Sequence, residues 1–320
     1  MSLIINTRYG LYCPPADIYI DPIRSVENAV LTHAHSDHAR RGSKKYLAHH
    51  DSAPLLKIRL GTINLQTIGY NQQINIKGVK LSFHPAGHII GSAQVRIEYN
   101  NSVWVVSGDY KIQPDLITTA FEPVKCDCFI TETTFALPIF KWPAEAEVAE
   151  QINRWWQLNR QRQIRSVILG YSLGKAQRLA SLIDLTAGQV LLHPSIFEIH
   201  EALRAYGIKL PYIPKLDSDT VVEKTALILA PPGVNNTDWL YQRAPYATGY
   251  ASGWMQLNKM RKISGIDQGF IISDHVDWPG IEAAVAATEA KQIFVTHGYE
   301  QEYAQWLTAK GFYAKSIHHD

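Results

Sequence analysis

Cysteine is scarce in this chain. Three residues, Cys13, Cys126 and Cys128, are too few for a disulfide framework, and Cys126-Asp127-Cys128 is too tightly spaced for a structural zinc site. They read as reduced thiols of a cytoplasmic protein. No apolar run approaches the length of a membrane span, and Met1-Ser2-Leu3-Ile4-Ile5-Asn6 lacks the basic start and long apolar core of a secretory signal. An excess of one charge is also missing: 31 Lys and Arg against 29 Asp and Glu leave a formal +2, so total charge announces no nucleic-acid partner. These absences argue against a secreted disulfide scaffold and a membrane protein. What remains is an ordinary globular composition, 46% hydrophobic and 19% charged over 320 residues, long enough for two cores.

What is present is a dense run of ligand chemistry. His33-Ala34-His35-Ser36-Asp37-His38 directly follows the short apolar segment Ala29-Val30-Leu31-Thr32. Neutral imidazole and carboxylate are the ligands zinc takes when a site must also hold water. The spacing suits two neighbouring ions, with His33 and His35 facing one and Asp37 and His38 reaching the other. The ordinary alternative is a polar loop rich in histidine. Against it, the same layout recurs: His84 and His88 follow Val79-Lys80-Leu81, Asp109 follows Val103 to Gly108, and Glu132 follows Cys128 to Thr131. His275 follows Phe270 to Asp274, and His297 follows Ile293 to Thr296. Ligands at strand ends, carried by a rigid sheet, are how enzymes hold a site to close tolerance.

Short strand-like runs separated by Gly, Asn and Pro make residues 1 to about 135 β-rich, with one helix over Ser52 to Arg59. After Phe135 a helix opens at Pro143 and runs to about Asn159. Strands at Val167-Leu169, Val190-Leu192 and Ala226-Ala230 then alternate with helices near 174–185 and 196–206. This rhythm predicts a parallel sheet inside an α/β (α+β) chain. The expected organisation is a metal-binding domain over 1–137 and 265–320, with an α/β domain inserted at 138–264.

Secondary features each carry two readings. Arg154, Arg160, Arg162 and Arg165 form an acid-free stretch that either favours a helix C-terminus or binds phosphate. Arg40, Arg41, Lys44 and Lys45 follow the histidine run and favour an anionic substrate. Gly170-Tyr171-Ser172-Leu173-Gly174-Lys175 joins a strand to a helix, so Ser172, Gly174 and Lys175 either cradle a phosphate or form an ordinary turn. Trp254 either stacks on a base or packs in a core. His84 is expected beside the metals without binding them, and His49-His50 and His318-His319 as surface pairs.

Taken together, His33, His35, Asp37 and His38, then His88, then Asp109 in Ser107-Gly108-Asp109-Tyr110, resemble the successive signatures of the metallo-β-lactamase superfamily. Glu132 in Thr131-Glu132-Thr133-Thr134, His275 in Ser273-Asp274-His275-Val276-Asp277 and His297 in Val295-Thr296-His297-Gly298 resemble the motifs A, B and C of its β-CASP nucleases. The likeness covers nearly the whole chain. It implies a four-layer αββα sandwich carrying an inserted β-CASP domain. Ser252-Gly253-Trp254, and an end soon after motif C, are most similar to the short bacterial DNA ligase-associated exonucleases, relatives of Artemis. His297 is the motif C residue of RNA-processing members, which keeps a ribonuclease open as an alternative.

The resemblance implies a zinc-dependent phosphodiesterase acting as a DNA exonuclease, 5′ to 3′, in repair, in functional association with a DNA ligase and a helicase. One zinc would take His33, His35 and His88, and the other Asp37, His38 and His297, with Asp109 bridging and manganese as the alternative metal. Asp37 would orient the attacking group, His275 would serve the leaving oxygen, and Glu132 would fix an imidazole. The reading from another class is a thioester or lactam hydrolase on the same sandwich.

Overall fold

Strands whose alternate residues are apolar need two faces to bury, and that requirement organises the molecule. The computed structural model describes residues 2–263 and 265–317. It divides into one unit of 1–114, 118–141 and 274–320 and a second of 115–117 and 142–273. The pair His318-His319 lies outside the described residues.

In the first unit a six-stranded sheet runs in sequence order through β1 (Ile5–Thr7), β2 (Gly10–Cys13), β3 (Ile18–Ile20), β4 (Asn28–Val30), β5 (Lys45–His49) and β6 (Leu65–Ile68). Helix α1 (Ala53–Leu60) follows β5 and buries Leu55, Leu56 and Leu60. A seven-stranded sheet contains β7 (Gln73–Ile76), β8 (Val79–Pro85), β9 (Ala93–Tyr99), β10 (Ser102–Val106) and β11 (Cys128–Thr133). The strands Gln292–Gly298 and Tyr313–Ser316 extend it beyond β11, both in parallel.

The two sheets share one core. Ile18, Ile20, Val30 and Leu47 of the first meet Leu81, Phe83, Val95, Ile97, Trp104, Val106 and Ile130 of the second. The residues between, Val105, Phe129, Ile293 and Val295, face the other way and pack with Ile281, Val285, Tyr303 and Leu307 of the helices Trp278–Thr288 and Glu300–Ala309. Period-two alternation therefore puts sheet on one side and helix on the other.

The second unit is a parallel sheet of five strands, β12 (Arg165–Leu169), β13 (Val190–Leu192), β14 (Leu227–Ala230), β15 (Tyr246–Ala251) and β16 (Gln268–Phe270), in the order β13-β14-β12-β15-β16. One face packs Val148, Ile152 and Trp156 of helix α2 (Glu145–Gln161) and Leu179 of α3 (Lys175–Leu182), with Ile196 of α4 (Pro194–Ala205). The other face, with Val167, Leu169 and Ile228, packs Leu216, Val234 and Leu240. The expected strand at Phe270 to Asp274 is shorter: it ends at Phe270, and the segment reaching His275 is irregular.

No helix among the described residues is long and apolar enough to cross a membrane. Phe129 is fully buried between β11 and the helical layer. Phe129→Ala should destabilise the fold by about 3–5 kcal/mol, read from the midpoint of chemical denaturation followed by tryptophan fluorescence.

Candidate metal centre

Loops at the ends of the first unit's strands carry the ligand set. After β4 the chain leaves the sheet with Leu31 N–H still donating to the Leu47 carbonyl, and turns at residues 36–38 as the amides of His38 and Ala39 both reach the His35 carbonyl. His88 stands in the turn between β8 and β9. Gly87 there has a φ of +72°, and a Cβ on it would overlap the Lys111 carbonyl. Asp109 follows β10 through Gly108, whose φ is +58° and whose Cβ would fall 2.6 Å from Thr32 Cβ. Only a residue without a side chain lets the Asp109 loop close on the His33 loop.

The result is a knot of nitrogens. His35 Nδ1 lies 3.2 Å from His33 Nε2 and 3.0 Å from His88 Nε2. Asp109 Oδ2 lies 3.4 Å from His33 Nε2, 3.4 Å from His38 Nε2 and 3.7 Å from His88 Nε2. A tetrahedral zinc with bonds of about 2.0–2.1 Å spaces its nitrogens about 3.3–3.4 Å apart, so the spacing of His33, His35 and His88 fits a shared cation.

Hydrogen bonds on the far sides of the rings fix their tautomers. His88 Nδ1–H donates to the Asp274 carbonyl at 2.6 Å, and His38 Nδ1–H donates to Asp21 Oδ2 at 2.8 Å, so both Nε2 atoms turn inward. Burial, reinforced by neighbouring imidazoles, holds His33 and His88 well below the ordinary histidine pKa. They are neutral, as ligands must be. Burial opposes charge on His38 too, but Asp109 and Asp21 outweigh it and raise its pKa well above the ordinary value. Burial likewise disfavours the Asp109 carboxylate, yet His38 and His275 keep it ionised, with a pKa well below normal.

The other expected residues divide. His275 Nδ1 lies 2.8 Å from Glu132 Oε2 and 4.0 Å from Asp109 Oδ2, so Asp109, Glu132 and His275 form a second metal-capable group. Glu132 lies inside β11 rather than after it. Its oxygens accept the Tyr110 amide at 2.8 Å and the Thr134 hydroxyl at 2.5 Å. Burial opposes a charge on His275, but Glu132 and then Asp109 raise its pKa to about 9. The exposed Asp37 places a carboxylate oxygen 3.8 Å from His38 Nε2, and the exposed His297 ring is centred 5.5 Å from that of His38. Neither belongs to a tight ligand group among the described residues.

The chain is similar to several proteins over different shares of its length. A probable DNA ligase of Opitutus terrae is 27% identical over 99% of this chain, which spans 31% of that protein. Cleavage and polyadenylation specificity factor 73 of Drosophila melanogaster is 29% identical over 42% of the chain and 19% of its own length. An RNase J-like protein of Methanocaldococcus jannaschii is 22% identical over 59% of the chain and 51% of that protein. This is the metallo-β-lactamase fold in its β-CASP form. A crystal structure of an Enterococcus faecalis protein of unknown function shares the fold, with a TM-score of 0.61 and 14% identity over 86% of this chain and 76% of that one. No family model matches. The chain thus spans about a third or less of the first two relatives.

Several of the expected substrate-side residues have partners within the chain. Lys175 is buried and its ammonium donates to the Ile272 carbonyl at 3.0 Å, while the Gly174 amide donates to Gln177 Oε1 at 2.8 Å. The start of α3 is thereby closed by its own side chain, and both groups are engaged within the unit. Ser172 Oγ lies 3.3 Å from Ser195 Oγ, and Trp254 is half-buried in a short 3₁₀ turn. His49 is buried, with its ring stacked 3.6 Å from that of Tyr70, so only His50 of that pair is a surface residue. His84 keeps company with Ser82 at 3.0 Å, outside the metal-capable groups. Arg41 donates to the Arg59 carbonyl and Lys44 pairs with Glu27 at 2.8 Å, so two of the four basic residues after His38 have partners elsewhere in the first unit.

One residue was missed: Asp21. It follows β3 as Asp109 follows β10, so the strand-then-acid pattern could have found it. Its carboxylate accepts the Thr32 amide at 2.8 Å and the Thr32 hydroxyl at 2.5 Å besides holding His38. Asp21→Asn should weaken metal affinity about 10–100-fold with the fold retained, as measured by competition with a chromogenic chelator.

Proposed function

We propose that the chain is a metal-dependent nuclease that hydrolyses phosphodiester bonds with two zinc ions, acting as a 5′-to-3′ DNA exonuclease in repair. The convergence of His33, His38 and His88 on one oxygen of Asp109, with His35 against His33 and His88, is the observation that carries this reading. When bound, such ions lower the pKa of water toward neutrality and neutralise phosphoryl oxygens. His33, His35 and His88 would hold one ion, and Asp37, His38 and His297 the other, with Asp109 between them. An imidazole-rich donor set favours zinc over manganese, the alternative metal.

The remaining residues manage protons and charge. His275, held protonated at neutral pH by Glu132 and Asp109, faces the ligand cluster and supplies a proton or a positive charge to the departing oxygen. Glu132, occupied by the Tyr110 amide and the Thr134 hydroxyl, cannot swing away and fixes the His275 ring. Asp37, with its carboxylate exposed beside His38, orients the attacking group. Residues 142–273 are assigned as the β-CASP insert.

DNA is favoured because the relative matched over 99% of the chain is a probable DNA ligase. A nuclease that trims ends suits functional association with a ligase, and with a helicase that opens them, in the cytoplasm. The second reading, a ribonuclease, is favoured by His297 and by likeness over 38% of the chain to endoribonucleases of Emericella and Neurospora.

Matched DNA and RNA strands, each with 5′-phosphate or 5′-hydroxyl ends, decide between them. DNA should be degraded from the phosphorylated end, and preferential loss of RNA would make the ribonuclease reading the right one. Turnover of a thioester with neither strand cut would refute both. Asp109→Ala should lose metal and activity together. His275→Ala should keep its metal, by elemental analysis, while kcat falls about 10²–10⁴-fold. Glu132→Gln removes the carboxylate that raises the His275 pKa, so the alkaline limb of the pH–rate profile should move to lower pH.

A further inference from the structure

Two arginines of the second unit line one cavity of about 500 Å³, and among the described residues no carboxylate is paired to either. Arg165 at the start of β12 donates through Nη1 to the carbonyls of Arg243 and Ala244, at 3.0 and 3.3 Å, and through Nη2 to that of Val222 at 3.2 Å. Arg243 lays its guanidinium 3.7 Å over the Trp239 ring and donates to the Trp239 carbonyl. Both Nε atoms are buried without a hydrogen-bond partner. The one acid in the lining, Asp217, is paired with Lys215 at 2.9 Å.

Neutral carbonyls solvate a guanidinium but do not cancel its charge. Two cations sharing a wall repel each other, and a buried unpaired N–H costs the fold about 1–3 kcal/mol. Burial first, and then the Arg165 charge, push the Arg243 pKa down. An incoming dianion relieves the repulsion between the two cations, and a planar guanidinium fork is matched to phosphate oxygens. The Ser218 and Thr220 side chains also line the cavity, and the Trp239 face beneath Arg243 gives a flat apolar wall.

We propose that the cavity lined by Arg165, Arg243 and Trp239 is an anion site that takes a phosphate-bearing ligand. It is separate from the metal centre, which lies wholly in the first unit. The phosphate comes either from a nucleic-acid backbone or from a free nucleotide, and the two sources share this chemistry. The inference does not depend on the chain's being a nuclease, because it is read by binding.

The test uses the full-length, metal-loaded protein in the His275→Ala background, which slows any consumption of the strand. Binding of a fluorescein-labelled single-stranded DNA and of adenosine 5′-monophosphate is measured with and without Arg243→Gln. Ser218→Glu, an exposed rim substitution that places a carboxylate in the cavity, serves as the second variant. Both variants should weaken the ligand that uses the site by about tenfold or more, and Arg243→Lys should restore part of the loss. Loss of strand binding without competition by the mononucleotide identifies the backbone as the source. Mononucleotide binding that both variants abolish identifies the free nucleotide. Unchanged affinity for both ligands in Ser218→Glu overturns the proposal, even if Arg243→Gln fails to fold.

Discussion

One carboxylate oxygen organises the site. Asp109 Oδ2 sits among the imidazoles of His33, His38 and His88, at 3.4–3.7 Å from each facing nitrogen. A buried anion costs several kcal/mol unless it is compensated, and lone-pair nitrogens brought within about 3 Å repel one another unless a proton or cation lies between. Both demands are met by positive charge at the centre. The surrounding architecture serves to hold these groups at that spacing: two sheets with a common core, strands ending at one rim, and Gly108 admitting the Asp109 loop against Thr32.

Around that centre lies a ring of hydrogen bonds that leaves little freedom. Asp21 holds Thr32 and His38, the Asp274 carbonyl holds His88, and Glu132 holds His275 while being held by Tyr110 and Thr134. Each bond assigns a proton to the outer nitrogen of a ring or keeps a ring from turning. Burial opposes charge on all four of these histidines; Asp109 and Asp21 outweigh it at His38, and Glu132 and Asp109 at His275, whereas at His33 and His88 burial and the neighbouring imidazoles prevail and the pKa values fall.

The second unit treats its cations in two different ways. Arg178 pairs with Glu145 at 2.6 Å and donates to the Ser273 carbonyl, and Lys175 donates to the Ile272 carbonyl. These buried charges are occupied within the unit's own scaffold. Arg165 and Arg243 instead meet only carbonyls and an aromatic face. The difference is one of counter-ions, and it separates cations that build the fold from cations positioned for something that arrives from outside.

Much of this was legible in the chain because it is local. The ligand types, their position after apolar runs, the change from β-rich to alternating strand and helix near Phe135, and the likeness to β-CASP proteins all follow from residue identity and short-range periodicity. Asp21 belonged to the same pattern, but its lone carboxylate in Ile20-Asp21-Pro22 carries no local sign of a histidine 17 residues later. Lys175 looked available beside two glycines because sequence does not say which carbonyl lies within reach; the return of Ile272 to the same place, 97 positions away, took it. The same holds for His49, drawn into the interior against Tyr70, and for Arg165 and Arg243, brought together from 78 residues apart. Sequence by itself determined which chemical groups stand at the ends of strands. Tertiary structure alone decided which of them meet, because pairing over such distances depends on how strands align and pack, and no short segment encodes that.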